Sequence, residues 1–166
     1  MAREPLPPAD KRFATCSEAA DIATALMKEY PLKFGDLATA QILFLTQIGG
    51  IKYQGERKAG KMERVTGQKK FLSRSPENGD EGWDYIMTLC ADVWARADAQ
   101  LKKRIVFHEL RHAMREEKDD GSFNWKIIGH EIETFHDEVE IFGSGRDLSE
   151  IFYALAEEAA QEKGKV

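Results

Sequence analysis

Five residues carry the chemistry most plainly: His108-Glu109-Leu110-Arg111-His112. Two histidines four apart share one face of a helix, one turn from each other. At that spacing both imidazoles can reach a single ion at roughly 2.0–2.1 Å, the usual Zn–N distance. Glu109 is rotated by about 100° from His108, so it borders such a site without being forced onto the ion. A general base for a water-activating metal belongs there. The chemistry that follows is metal-assisted hydrolysis of a carbonyl compound, with a peptide bond the first candidate. H-E-x-x-H is short and recurs by chance. Here it lies in a predicted helix after a predicted strand and uses two of the chain's four histidines.

A catalytic zinc usually takes three protein ligands and leaves one position for water. The other histidines, His130 and His136, both lie downstream. His130, preceded by Gly129, stands where a following helix should begin and could project back toward the first. His136 lies further along that helix, near the edge of its apolar stripe, and Glu131 and Glu133 are the carboxylate candidates. The residues favour His130 but leave all four open. Cys16 and Cys90 have no C-x-x-C partner and are expected as reduced, mostly buried thiols. Any ion must therefore be held by histidine and carboxylate.

The surrounding elements must hold these groups in place. The spacing predicts a helix from about Asp98 to about Glu117, broken by Asp119-Asp120-Gly121-Ser122. Val106, Leu110 and Ala113 form its apolar back, with Phe107 and Met114 beside them, and Ile105 is the one apolar neighbour on the front. Asp84–Ala91 reads as a strand covered on both faces. Upstream, Ser17 is a candidate cap for a helix with a stripe of Ala19, Ala20, Ile22, Ala23, Leu26 and Met27, ended by Tyr30-Pro31. Residues 37–48 could be a buried strand or a short helix. Residues 51–54 and 62–72 read as edge strands of a basic hairpin or small meander, and 75–82 as a loop. Downstream, Ile132, Phe135, Val139 and Phe142 mark a second helix ended by Gly143-Ser144-Gly145. Asp147 and Glu150 resemble a capping box opening a last helix to about Glu162. Helix, a few strands, then helices is the order of an α+β domain.

The chain has 166 residues, 42% hydrophobic and 32% charged, as expected of one soluble domain with at most a short appendage. No apolar run approaches a membrane span, and Met1 to Asp10 has no signal-like apolar segment, so a cytoplasmic location is expected. The net charge of −5 is unevenly spread. Residues 52–74 hold eight Lys or Arg against Glu56 and Glu63, whereas 116–162 is strongly acidic. Lys58, Lys61, Lys69 and Lys70 could contact DNA, although a solvated hairpin accounts for them more simply.

The strand Asp84–Ala91, Trp94, the run Ile105 to His112, and His130-Glu131-Ile132-Glu133-Thr134-Phe135 with Val139 and Phe142-Gly143 resemble the putative phage metallopeptidase family. More distantly they resemble the SprT-like zinc peptidases. The likeness covers roughly residues 17–143. It implies a small zincin-like domain: an N-terminal helix, a short antiparallel or mixed sheet of about three to four strands, an active-site helix and a following ligand-bearing helix. Residues 1–12 would be a flexible arm, 13–145 the peptidase domain and 146–166 a C-terminal helical extension. It makes His130 the third zinc ligand beside His108 and His112, with Glu109 catalytic and a protein or peptide as substrate. If the chain is phage-encoded, the cytoplasm is that of a bacterial host. Glu131 and Thr134 depart from the family's Asp and Glu, and no cysteine zinc ribbon is present. Two alternatives remain: a metal-binding, non-catalytic interaction or inhibitor protein, and a DNA-associated protease using segment 52–74.

Overall fold

The computed structural model describes residues 8–53, 56–129 and 136–143, with residues 151, 154, 155, 158 and 161. It is an α+β fold built on a four-stranded sheet: β1 (Phe13–Thr15), β2 (Ile42–Gln47), β6 (Tyr85–Cys90) and β5 (Gly60–Arg64), in the order β1-β2-β6-β5. β1 and β5 run antiparallel to their neighbours, while β2 and β6 are parallel, Ile42 opposite Tyr85. Tyr85, Met87 and Leu89 are fully buried, and Thr88 and Cys90 on the alternate face are buried too. β6 is thus the covered central strand its composition predicts. Two small hairpins flank the sheet: β3 (Ile51–Tyr53) with β4 (Glu56–Lys58), and β7 (Ala113–Glu117) with β8 (Phe123–Ile127).

The helices are α1 (Ser17–Glu29), α2 (Pro31–Phe34), α3 (Gly67–Leu72), α4 (Ala91–Arg96), α5 (Ala99–Arg111) and α6 (His136–Phe142). α1 buries Ala19, Ala23 and Leu26, the centre of its predicted stripe. α5 is the helix that carries the candidate site, and its back is held hard. Phe107 is fully buried and meets Tyr30, Phe34 and Phe142 edge-on, with ring centroids 5.6, 5.1 and 5.4 Å away. Burying such a ring contributes about 1.5–3 kcal/mol from apolar area alone. At the helix start the Asp98 carboxylate accepts a hydrogen bond from the Leu101 N–H at 2.8 Å. Replacing that cap should cost about 1 kcal/mol. Asp98→Ala is expected to lower Tm by about 2–4 °C, read by thermal denaturation, with the fold unchanged.

Several sequence expectations change. The site helix does not run to Glu117: it stops at Arg111, His112 caps it, and 113–117 is strand β7. Ala113 is buried, but from a strand, Met114 is exposed, and Ile105 joins the core instead of the front face. The run 62–72 is strand only to Arg64, because Gly67 takes a φ of 54° and opens α3. Residues 42–47 settle as a strand and 35–39 as a 3-10 turn. Cys16, not Ser17, caps α1, without a side-chain hydrogen bond. Both cysteines are buried and free. The Asp147–Glu150 box lies outside the described residues. Among the described residues no helix is long and apolar enough to cross a membrane.

Candidate active site

α5 presents His108 and Glu109, and its cap presents His112. The helix ends at His112 because the next residues are captured by long-range partners. The Ile128 N–H donates to the His112 carbonyl at 2.8 Å, and Ala113 pairs with Ile127. The Tyr85 hydroxyl lies 2.8 Å from the Lys126 carbonyl oxygen and 3.2 Å from that of Met114, tying hairpin β7–β8 to the central strand. Burial pushes the Tyr85 phenol up to about 12, so it stays protonated.

The two imidazoles meet with ring centroids 5.2 Å apart and planes at 78°. Each is held through Nδ1. His108 Nδ1 is 2.7 Å from Glu138 Oε2, and His112 Nδ1 is 2.7 Å from the Ile128 carbonyl oxygen. A carbonyl can only accept, so the proton of neutral His112 sits on Nδ1 and its lone pair on Nε2. The carboxylate of Glu138 imposes the same arrangement on His108. This is the outer arrangement of metal-ligating histidines, with Nε2 as donor and Nδ1–H fixed by an acceptor. The donor chemistry therefore fits a borderline divalent ion such as zinc.

Glu138, from α6, is fully buried and also accepts from Arg104 Nε at 2.9 Å. Arg104 and His108 stand one turn apart on α5, so one carboxylate serves both. Burial pulls the His108 pKa down, but the Glu138 hydrogen bond and the charges of Glu109 and Glu138 outweigh it, and the net shift is upward. For His112 burial dominates, assisted by the charge of His108, and the net shift is downward. Asp137, next in α6, is 2.7 Å from Lys33 Nζ and 3.1 Å from Arg111 Nε, which fastens α6 over α5.

Glu109 sits between α5 and β5, 5% exposed. Its carboxyl is pushed up to about 7, mainly by burial and further by Glu138, with His108, Lys58 and a hydrogen bond from Met62 pulling the other way. A carboxyl poised there can take or give a proton near neutral pH.

The structure thus brings the rings of His108 and His112 together and buries the Glu109 carboxyl, on the same helix, against β5. His130, Glu131 and Glu133 lie outside the described residues, and His136 is the first described residue of α6. Among the described residues no group of three or more His, Cys, Asp or Glu is placed to hold an ion. The sequence reading missed Glu138 and Arg104. Its available signal was the Arg104–His108 spacing, two donors on one helix face that demand a common acid. The strand β6 is flanked on both sides by β2 and β5, so the edges of the four-stranded sheet are β1 and β5. Of the four lysines considered for DNA, Lys61 pairs with Glu63 and Lys70 with Asp84.

Comparison with curated proteins and with solved structures returned no match. The sequence profile described as putative phage metallopeptidase matches residues 11–159, further at both ends than the likeness read from the motifs. With that span matched, and with paired histidines beside a buried carboxyl at its centre, the chain belongs to the putative phage metallopeptidase family.

Proposed function

We propose that the protein is a zinc-dependent peptidase in which His108, His112 and His130 hold the ion and Glu109 is the general base. The observation that carries this reading is the pair of Nδ1-anchored imidazoles on the same helix as a buried carboxyl whose pKa is pushed up to about 7. Chain reach supports His130. It follows Ile128 by two residues, and two residues span at most about 7 Å, while the Ile128 carbonyl is hydrogen-bonded to His112. A bound zinc would supply a Lewis acid that polarises the carbonyl and lowers the pKa of water from 15.7 toward about 7.

The chain's own groups do the rest. Glu109 accepts the proton of the attacking water and later delivers it to the leaving amine. Glu138 and the Ile128 carbonyl hold the Nδ1 proton of each neutral imidazole, which leaves Nε2 as the donor atom. β5, one of the two edge strands of the sheet and the one beside Glu109, is the strand along which an extended peptide could add. The hydrogen bonds Cys90 N–H to the Ala59 carbonyl and Val65 N–H to the Asp84 carbonyl set the alternation along β5. That alternation directs the backbone groups of Gly60, Met62 and Arg64 away from β6.

The test is metal analysis of tag-free protein followed by a peptide-library digest with and without chelator. One zinc per chain and chelator-sensitive cleavage are expected. His108→Ala and His112→Ala should each weaken zinc by more than the 10–100-fold typical of an outer-sphere change. Wild-type protein that binds no zinc would refute the reading. Zinc binding without cleavage would favour the non-catalytic alternative.

A further inference from the structure

Gly60 opens the edge strand β5 in a backbone conformation that does not require glycine, since its φ is not in the left-handed region. A glycine inside a strand costs stability and often marks close approach by another group. Here the group is visible. A Cβ placed on Gly60 would lie 2.8 Å from Oε1 of Glu109 and 3.0 Å from both its Cδ and Cγ. Real Cβ contacts essentially never fall below 3.0 Å. The neighbour cannot swing aside into solvent, because Glu109 is 5% exposed and packed beneath the sheet edge. Two residues along the same strand, the backbone of Met62 faces the same carboxylate and pulls its pKa down.

We propose that Gly60 is a positioning residue for Glu109: its missing side chain is the slot that lets the carboxylate pack against β5, one residue after His108 on the same helix. The proposal rests on Glu109 being the base, but its geometric core can be tested without turnover. Any side chain at position 60 must displace the carboxylate, and a misplacement of about 1 Å costs roughly 10²-fold in rate.

The experiment is a double-mutant cycle on metal-free protein, read by thermal denaturation, with zinc titration and kinetics on the best library peptide alongside. With Glu109 present, Gly60→Ala is expected to lower Tm by about 3–6 °C. In the Glu109→Ala background the contact is gone and the strand backbone accepts alanine, so the same change should leave Tm unchanged or raise it. Zinc affinity should stay within about two-fold of wild type, while kcat falls roughly 10²-fold with KM little changed. Equal Tm losses in both backgrounds would overturn the slot, as would wild-type kcat in Gly60→Ala. If wild-type protein cleaves no peptide, the peptidase reading fails, and the cycle still decides the slot. Should Gly60→Ala fold only in the Glu109→Ala background, the slot is upheld in its strongest form.

Discussion

Glu109→Gln is expected to bind zinc as wild type does and to lose turnover by about 10²–10⁴-fold, the range that a positioned proton-transfer group contributes. Glutamine keeps the shape that fits beside Gly60, so only the proton chemistry is removed. The same substitution should reveal itself without substrate. In metal-free protein the carboxyl moves from an ordinary 4.5 to about 7 on folding, mainly through burial. The folded state therefore favours the protonated form. Its contribution is complete below pH 4.5 and is lost as pH rises through 7. Glutamine cannot ionise, so above pH 7 the metal-free variant should exceed wild type by roughly 3 kcal/mol, a Tm gain of about 6–12 °C. Near pH 4 the two should melt together. Unfolding scans across pH 4–8 check the sign. A variant that turns over a confirmed substrate at the wild-type rate would sink the mechanism.

The second large effect concerns Glu138. Glu138→Ala strips the buried Arg104 guanidinium of its carboxylate and His108 of its Nδ1 acceptor at once. Removing one partner of a buried pair costs about 3–5 kcal/mol, so Tm should fall by about 6–20 °C. Glu138→Gln is the more telling change. Its single carbonyl can accept from Arg104 or from His108, but its NH2 then faces the other donor. The fold should survive, while zinc affinity drops 10–100-fold as His108 loses its fixed tautomer. Calorimetric zinc titration reads this directly. Undiminished zinc binding in Glu138→Gln would show that His108 is oriented by something else.

How much of this was legible beforehand depends on whether the information is local. His108, Glu109 and His112 could be read because their relation is set by one helical turn. β6 could be read because burial on both faces leaves an unbroken apolar run. The end of α5 could not. Ala113-Met114-Arg115-Glu116-Glu117 is built of good helix formers, and nothing local stops the helix there. It stops because Ile128 bonds to both the backbone and the ring of His112 and because Tyr85 clamps the hairpin. Glu138 was hidden for a related reason. It lies thirty residues from His108, and only the packing of α6 on α5 brings it home. Gly60 carries no local signal among the other glycines of a basic segment; its meaning lies in Glu109, on another element.

The parallel pairing of β2 with β6 carries a cost in time. Ile42 cannot meet Tyr85 until the chain between them closes a loop of some forty residues, and such long-range closure slows folding. Hairpin β7–β8, whose turn is short, can form early, but the histidines it steadies have no sheet behind them until that closure is made. The two histidines and their hairpin can therefore take shape locally and early, whereas Glu109 meets Gly60 only once β5 has joined the sheet, so the carboxylate should find its place last.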